Sequence, residues 1–145
     1  MEVAEVLREP YSGGAFPGYD KVSFDFHELE PLFRREKPDW KTALSIVKGV
    51  YVVFDRSTGK KYVGSAYGTE GIWSRWASYL QNGHGWNDEL VTIIGTKGIG
   101  YAKENFRFTL LEQLPMRTDD ESIFNRETYW KEALLSRGDH GYNRN

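Results

Sequence analysis

Alternating hydrophobic and polar positions mark two predicted strands of this chain. Val22, Phe24 and Phe26 are each separated by one polar residue, and this period of two predicts a strand with one side in water. The same alternation recurs over 105–111, where two phenylalanines and a leucine face one way. We therefore expect one strand early in the chain and another in its second half.

Two short apolar runs around the turn-forming segment 55–60 predict a β-hairpin, because both are rich in β-branched and aromatic residues. If Gly59 takes a positive φ in the turn, Tyr51 lies opposite Gly64 and shares a face with Tyr62. In that register Gly64 leaves open backbone beside the Tyr51 ring, which is space that a ligand can enter. Two core tyrosines would give the same pattern, so both interpretations stay open.

Apolar residues at helical spacing predict five helices around these strands. They cover about 27–35, a segment capped by Asp39, 71–81, a segment capped by Asn87, and 119–136. Pro31 is tolerable only in the first turn of its helix, because proline has no backbone N–H to donate. From the hairpin onward, the predicted order is two strands, two helices, a strand and a helix.

The composition of the chain limits the chemistry and the partners that we expect of it. The chain has 145 residues, which suits one domain, and it has no cysteine for disulfide or thiolate chemistry. A net charge of −2 gives no support to nucleic-acid binding by the chain as a whole. No run is long enough to span a bilayer and the N-terminus lacks a signal pattern, so we expect a soluble, cytoplasmic protein with no membrane partner.

The predicted final helix carries a glutamate within its apolar stripe. Ile123, Trp130 and Leu134 define that stripe, and Glu127 lies between the first two of them. A carboxylate turned toward the core loses hydration on the order of several kcal/mol unless a cation or hydrogen-bond donors replace the water. A salt bridge to an arginine, a helix pair with Lys131 and a functional site all fit this pattern.

Arg75 lies at the border of the apolar face of helix 71–81, so its guanidinium can emerge beside packed rings. Arginine binds phosphate oxygens bidentately and a carboxylate binds a hard cation, so Arg75 and Glu127 are the two parts needed to hold a phosphate against a divalent metal, although arginines with buried stems are common without one. Tyr79 follows Arg75 by one helical turn; we expect it to pack in the core, with its hydroxyl available to the same site. His84, in a glycine-flanked linker, could shuttle a proton or contact phosphate.

Five marks then occur in a fixed order along the chain. They are Gly49-Val50-Tyr51, Tyr62-Val63-Gly64, Arg75 in the next helix, Glu127 in a late helix, and Asn143. This pattern resembles the GIY-YIG nuclease superfamily. The resemblance covers 49–145 and implies an α+β fold, with a small antiparallel sheet of three strands, possibly a fourth from the N-terminal extension, flanked by helices.

The resemblance implies a DNA endonuclease that hydrolyses phosphodiester bonds with a single Mg²⁺ or Mn²⁺. By resemblance, Glu127 would ligate the metal and Arg75 would stabilise the charge on the scissile phosphate. Tyr51 would help to deprotonate the attacking water, Tyr62 would orient water or phosphate, and Asn143 would support the site. The motif glycines Gly49 and Gly64 are counted as supporting residues.

Several questions stay open at this stage. Family members often have histidine one turn after the arginine, where this chain has Tyr79, so the proton relay could fall to His84. A nuclease acting on RNA or branched DNA, or a catalytically inactive binding or interaction domain, would share these motifs. Residues 1–48 are expected to form an extension packed on domain 49–145, loosely structured up to about residue 20. A homodimer is possible, since one active site cuts one strand.

Overall fold

Residues 14–145 are described by the computed structural model. Within them, the strands are β1 (Ser23–Asp25), β2 (Val47–Asp55), β3 (Lys61–Ala66) and β4 (Phe106–Pro115). The helices are α1 (Phe26–Arg34), α2 (Pro38–Ser45), α3 (Gly71–Asn82), α4 (Asp88–Lys97), α5 (Ile99–Asn105) and α6 (Asp120–Ala133). The strands form one antiparallel sheet in the order β1-β4-β2-β3. The predicted α+β class is confirmed, and the N-terminal extension does supply a fourth strand.

The predicted hairpin register is confirmed. Tyr51 pairs with Gly64 and Val53 pairs with Tyr62, while Gly59 has a φ of 80°. The prediction of open space beside Gly64 is wrong. A Cβ at this position would lie only 2.7 Å from Tyr51 Oη and 2.8 Å from Tyr62 Cε2. The two tyrosine rings themselves fill the gap that the glycine leaves.

The central strand β2 is buried on both faces. Tyr51 and Val53 belong to the main core, which most of the helices cover. Val50 and Val52 point to the opposite face, where they form a second cluster against which Trp130 of α6 packs. This packing sets the rotation of α6 and therefore the direction in which its glutamate faces.

Several details of the predicted helices need correction. Lys37, not Asp39, is the N-cap of α2, and Asp39 lies in the first turn. Pro31 lies in the second turn of α1 rather than the first, because the helix begins at Phe26. Helix α5 was not predicted, since its only buried residue is Ala102 and so it shows no apolar stripe. The N-cap role of Asn87 is confirmed: its side chain accepts a hydrogen bond from the backbone N–H of Leu90.

The N-terminal extension contributes to the main core. Val22, Phe26 and Leu29 are buried there, and β1 pairs with β4. The predicted loose structure up to about residue 20 falls mainly on residues 1–13, which lie outside the described residues. Between residues 14 and 145, no helix has the length and apolar character needed to cross a membrane. The division at residue 48 stays a prediction.

Candidate functional site

Three of the predicted site residues meet at one cavity. It has a volume of about 760 Å³ and is lined by residues of β3, α3 and α6. A second cavity of about 430 Å³ adjoins it. The residues that line both are Tyr62, Arg75, Glu127, Lys131 and Asn145. We call these five residues the shared centre.

Arg75 is held in a fixed orientation by its neighbours. Its Nη1 donates a hydrogen bond of 2.7 Å to the backbone oxygen of Gly85, and its Nη2 lies 3.4 Å from Tyr79 Oη. The guanidinium also lies over the Tyr79 ring, 4.9 Å from its centroid. Burial by itself would lower the pKa of Arg75, but the surrounding phenol groups raise it above its ordinary value. Arg75 therefore presents a permanent, oriented positive charge to the cavity.

Tyr51 and Tyr79 form a buried layer beneath the cavity. Their hydroxyl oxygens are 3.0 Å apart, and Tyr79 connects them to Arg75. Burial raises the pKa of both phenols, although Arg75 partly opposes this. Within residues 14–145, Tyr51 is not among the residues that line either cavity. Its place suits orientation of Arg75 better than direct removal of a proton from water.

Tyr62 is the motif tyrosine at the cavity itself. Burial raises its pKa, the positive charge of Arg75 lowers it, and the negative charge of Glu127 raises it. The net direction is upward, so Tyr62 keeps its proton at neutral pH in this arrangement. A protonated phenol can donate a hydrogen bond to a phosphate oxygen or orient a water molecule.

Glu127 has partners for both of its carboxylate oxygens. Ser65 Oγ donates a short hydrogen bond to Oε1, and Lys131 Nζ lies 2.9 Å from Oε2. The side chains of Glu127 and Lys131 are 16% and 8% exposed. The helix pair with Lys131, one of the alternatives that the sequence left open, is therefore present. Because both groups line the cavity, the pair lies within the candidate site.

The cavity offers little for a metal ion except Glu127. Among residues 14–145, no three histidine, cysteine or acidic side chains cluster in a way that could hold one. Magnesium is often bound through one or two carboxylates, with water and substrate phosphates completing its shell. Glu127 fits a cation held in that way, provided that the Lys131 ammonium moves aside.

Asn143 holds the backbone of β3 beside the cavity. Its Oδ1 accepts from the N–H of Val63 at 2.8 Å, and its Nδ2 donates to the carbonyl of Val63 at 2.9 Å. Val63 lies between Tyr62 and Gly64, so this contact fixes the strand that carries the cavity tyrosine. The contact matches the supporting role that the sequence resemblance implies for Asn143.

The chain is similar to a catalytic domain of known structure. No family model and no curated protein matches the chain. Two solved structures do match: the catalytic domain of homing endonuclease I-TevI, and a point mutant of the catalytic domain of intron endonuclease I-TevI. Both are 28% identical to this chain with a TM-score of 0.49, and the matches cover 68% of this chain and 98% and 93% of those chains. I-TevI is a GIY-YIG homing endonuclease. This chain is similar to that catalytic domain.

Among the described residues, His84 and Gly49 are two predicted site residues that line neither cavity. In the described part of the chain, His84 lines neither cavity, and its Nδ1 accepts a 2.9 Å hydrogen bond from the N–H of Trp86. Its ring contacts Trp86, which lines the smaller cavity, so the role of His84 as a proton relay stays a prediction. A Cβ at Gly49 would lie 2.6 Å from the backbone oxygen of Glu112, so Gly49 permits close pairing of β2 with β4.

Sequence reasoning missed Ser65 and the aromatic residues around the cavity. Ser65 follows the second motif glycine directly, but side chains alternate along β3, so the sequence places Ser65 on the face opposite to Gly64 and gives no signal of its contact with Glu127. Tyr67 and Phe124 line the larger cavity and Trp86 lines the smaller one. Nothing in the spacing of these three residues along the chain indicates that they line neighbouring cavities.

Proposed function

We propose that this chain is a nuclease that hydrolyses DNA phosphodiester bonds with a single Mg²⁺ or Mn²⁺. The observation that carries the proposal is the convergence of Arg75, Tyr62 and Glu127 on one cavity. A fixed cation, a protonated phenol and a carboxylate are separated along the chain but share this one open space. Together they provide what phosphoryl transfer needs, which is positioning and stabilisation of charge.

Arg75 binds the scissile phosphate in this proposal. Negative charge on the phosphate oxygens grows as phosphorus becomes five-coordinate, and an oriented guanidinium stabilises that charge. The hydrogen bond to Gly85 and the contact with Tyr79 hold the guanidinium before substrate arrives. The free-energy cost of orienting it is therefore met during folding rather than during reaction.

Glu127 is the residue that would hold the divalent cation. When bound, such a cation supplies further positive charge at the phosphate and lowers the pKa of a coordinated water. Ser65 orients the carboxylate, and Lys131 balances its charge when substrate is absent. Lys131 thus prevents an uncompensated carboxylate in a partly buried place.

The two motif tyrosines take different roles. Tyr62 lines the cavity and orients the attacking water or a phosphate oxygen. Tyr51 supports Arg75 from below, through its contact with Tyr79 and through its own interaction with the guanidinium. Its buried hydroxyl, with a raised pKa, is a poor base for water. This assignment changes the sequence expectation, in which Tyr51 helps to deprotonate the water.

A catalytically inactive nucleic-acid-binding domain is the second candidate. The ion pair between Glu127 and Lys131 favours it, since a carboxylate already neutralised by lysine has no need of a metal. The sequence left this helix pair open, beside a salt bridge to an arginine and a functional site, as an interpretation of Glu127. The choice between these two functions depends on a cleavage assay.

The test is cleavage of supercoiled plasmid, single-stranded DNA, branched DNA and RNA in Mg²⁺, Mn²⁺ or EDTA. We expect nicking that requires metal, and a loss on the order of 100- to 1,000-fold in Arg75→Ala, which lacks a partner for transition-state charge. Glu127→Gln should be inactive with metal while keeping the contact with Ser65. Sedimentation of the same samples tests the predicted homodimer.

The matched control is Glu132→Gln, which changes an exposed glutamate of the same helix, outside both cavities. It should cut at the wild-type rate. Wild-type protein that cuts none of the four substrates with any metal, but binds them, would establish the binding domain instead. Cleavage by Glu127→Gln at the wild-type rate would remove Glu127 from the site.

A further inference from the structure

Trp86 is the most exposed large aromatic side chain of the described residues, at 72% exposure. It lines the smaller cavity together with three cationic side chains, Arg75, Lys131 and Arg144, and two acidic ones, Asp88 and Glu127. Lys131 is paired with Glu127 and Arg144 with Glu89. A large apolar ring that water surrounds gains nothing for the core. Its place beside cationic groups is typical of surfaces that bind nucleic acid.

The backbone of Trp86 is strained. Its φ is 67°, in the left-handed region that bulky residues rarely adopt. Such a conformation persists only where the surroundings impose it, and it is concentrated at functional sites. Glycine or asparagine would adopt this φ at lower cost, so the indole is not explained by the turn itself.

The loop that carries Trp86 is tied to Arg75. The Trp86 N–H donates to His84 Nδ1 at 2.9 Å, and Asn82 Oδ1 accepts from the N–H groups of His84 and Gly85. The Gly85 carbonyl, one residue before the indole, accepts from Arg75 Nη1. The backbone of Trp86 is therefore fixed relative to the guanidinium that binds phosphate in the proposed function, and its ring packs edge to face against His84 at 4.8 Å.

Aromatic rings line both of the cavities that share the residues of the shared centre. Tyr67 and Phe124 line only the larger cavity, where their rings meet edge to face at 5.0 Å. Trp86 lines only the smaller one. A strand that occupies both cavities would therefore contact an aromatic ring in each of them as well as Arg75.

We infer that Trp86 is a nucleobase-stacking residue, and that the substrate has unpaired nucleotides beside the scissile phosphate. This inference rests on the proposed function and narrows it to one class of nucleic acid. A base inside a duplex is already stacked on both faces, so an indole can stack on it only after it has left the helix. Single-stranded, bulged or branched DNA offers such a base without the cost of unpairing.

The test measures binding in EDTA, so that no metal-dependent cleavage takes place. The probes are one fluorescein-labelled DNA sequence as a single strand, as a duplex with an unpaired bulge, and as a fully paired duplex. Wild type should bind the first two more tightly than the third. Trp86→Ala should weaken binding of the first two about 5- to 150-fold, as expected for one lost stacking contact, with little change for the paired duplex.

Two further variants separate stacking from folding. Trp86→Phe keeps an aromatic face and should retain most of the binding, whereas Trp86→Gly removes both the ring and the backbone strain. Trp86→Gly should therefore bind as weakly as Trp86→Ala while its urea midpoint stays at or above that of wild type. Leu135→Gly is the matched control, because Leu135 is also exposed and apolar with a positive φ of 55°, but lies outside both cavities. It should bind all three probes like wild type.

The inference would be overturned if Trp86→Ala bound the single strand and the bulged duplex as tightly as the wild type does. An equal loss for paired and unpaired probes would also overturn it, as would a change in oligomeric state that accounts for the loss. The proposed function fails separately, if wild type binds unpaired DNA through Trp86 but cuts nothing in Mg²⁺ or Mn²⁺.

Discussion

Replacement of Asn143 by alanine should destabilise the fold more than most substitutions of a single side chain do. The amide makes two hydrogen bonds to Val63, of 2.8 and 2.9 Å. Asn143 is 5% exposed and Val63 is fully buried, so water cannot replace the lost amide. Each buried donor or acceptor left without a partner costs about 1–3 kcal/mol, so Asn143→Ala should lose about 2–6 kcal/mol of unfolding free energy. That is a large part of the stability of about 5–15 kcal/mol typical of a domain.

The assay is urea unfolding followed by tryptophan fluorescence, with the slope of free energy against urea held to the wild-type value. Asn105→Ala is the matched control, because Asn105 Nδ2 makes one hydrogen bond to the Tyr101 carbonyl near the surface. The control should lose less than about 1 kcal/mol. If both variants lost the same free energy of unfolding, the argument that Asn143 holds the backbone of β3 would be refuted.

Asn143→Asp adds a dependence on pH to the same experiment. The ionised carboxyl keeps an acceptor for the Val63 N–H but turns a second negative oxygen toward the Val63 carbonyl. Burial and this contact should raise the pKa of the introduced carboxyl above its unfolded value of about 3.9. The stability of Asn143→Asp relative to that of the wild type at the same pH should therefore be greatest below about pH 3.9 and fall as pH rises through the raised pKa. A variant whose stability instead rises over the same range would contradict the assigned geometry.

Three other changes test separate parts of the structure. Lys131→Met should tighten binding of Mn²⁺, measured by calorimetry, because it removes the ammonium that competes for Glu127; unchanged affinity would show that the lysine does not compete. Gly64→Ala should lose about 1–3 kcal/mol in urea unfolding, because the new methyl group would lie 2.7 Å from Tyr51 Oη, and an unchanged midpoint would contradict this packing. Tyr142→Phe removes the 2.6 Å hydrogen bond that Tyr142 Oη donates to the buried Asp55, so its free energy of unfolding at neutral pH should fall by about 1–2 kcal/mol. Burial raises the pKa of Tyr142, so its contribution is present below about pH 10 and is lost above it; the two proteins should converge in stability as pH rises further.

The sequence predicts the features that depend on neighbouring residues. The hairpin register follows from the turn at Gly59 and the alternation on either side of it, and the structure confirms it. The cap at Asn87 follows from one side chain and the start of one apolar stripe. Both are local, so no knowledge of tertiary packing is needed. The short helix α5 shows the limit of such reasoning, because its single buried residue produces no stripe.

The contents of the site depend on residues far apart in the chain. Ser65 and Glu127 are 62 positions apart, and no local pattern indicates that a serine in a strand orients a carboxylate on the last helix. The depth of Tyr51 is a further example, since a strand pattern gives the face of a side chain but not what covers it. Tyr79 and Arg75 cover this face in the structure, which is why the phenol is shielded from the cavity.

The pair of Glu127 and Lys131 shows why an anomalous position in a pattern cannot by itself distinguish structure from function. A carboxylate in an apolar stripe needs a partner, and lysine one turn later supplies it. Buried ion pairs add little net stability compared with apolar residues of the same size, so folding alone gives weak reason to keep one here. Both groups line an open cavity beside Arg75, where a charge pair can be separated by an incoming cation and phosphate. If the chain is the nuclease proposed above, the pair is the resting state of its site, and the affinity of the Lys131→Met variant for Mn²⁺ measures how strongly the lysine opposes a cation there.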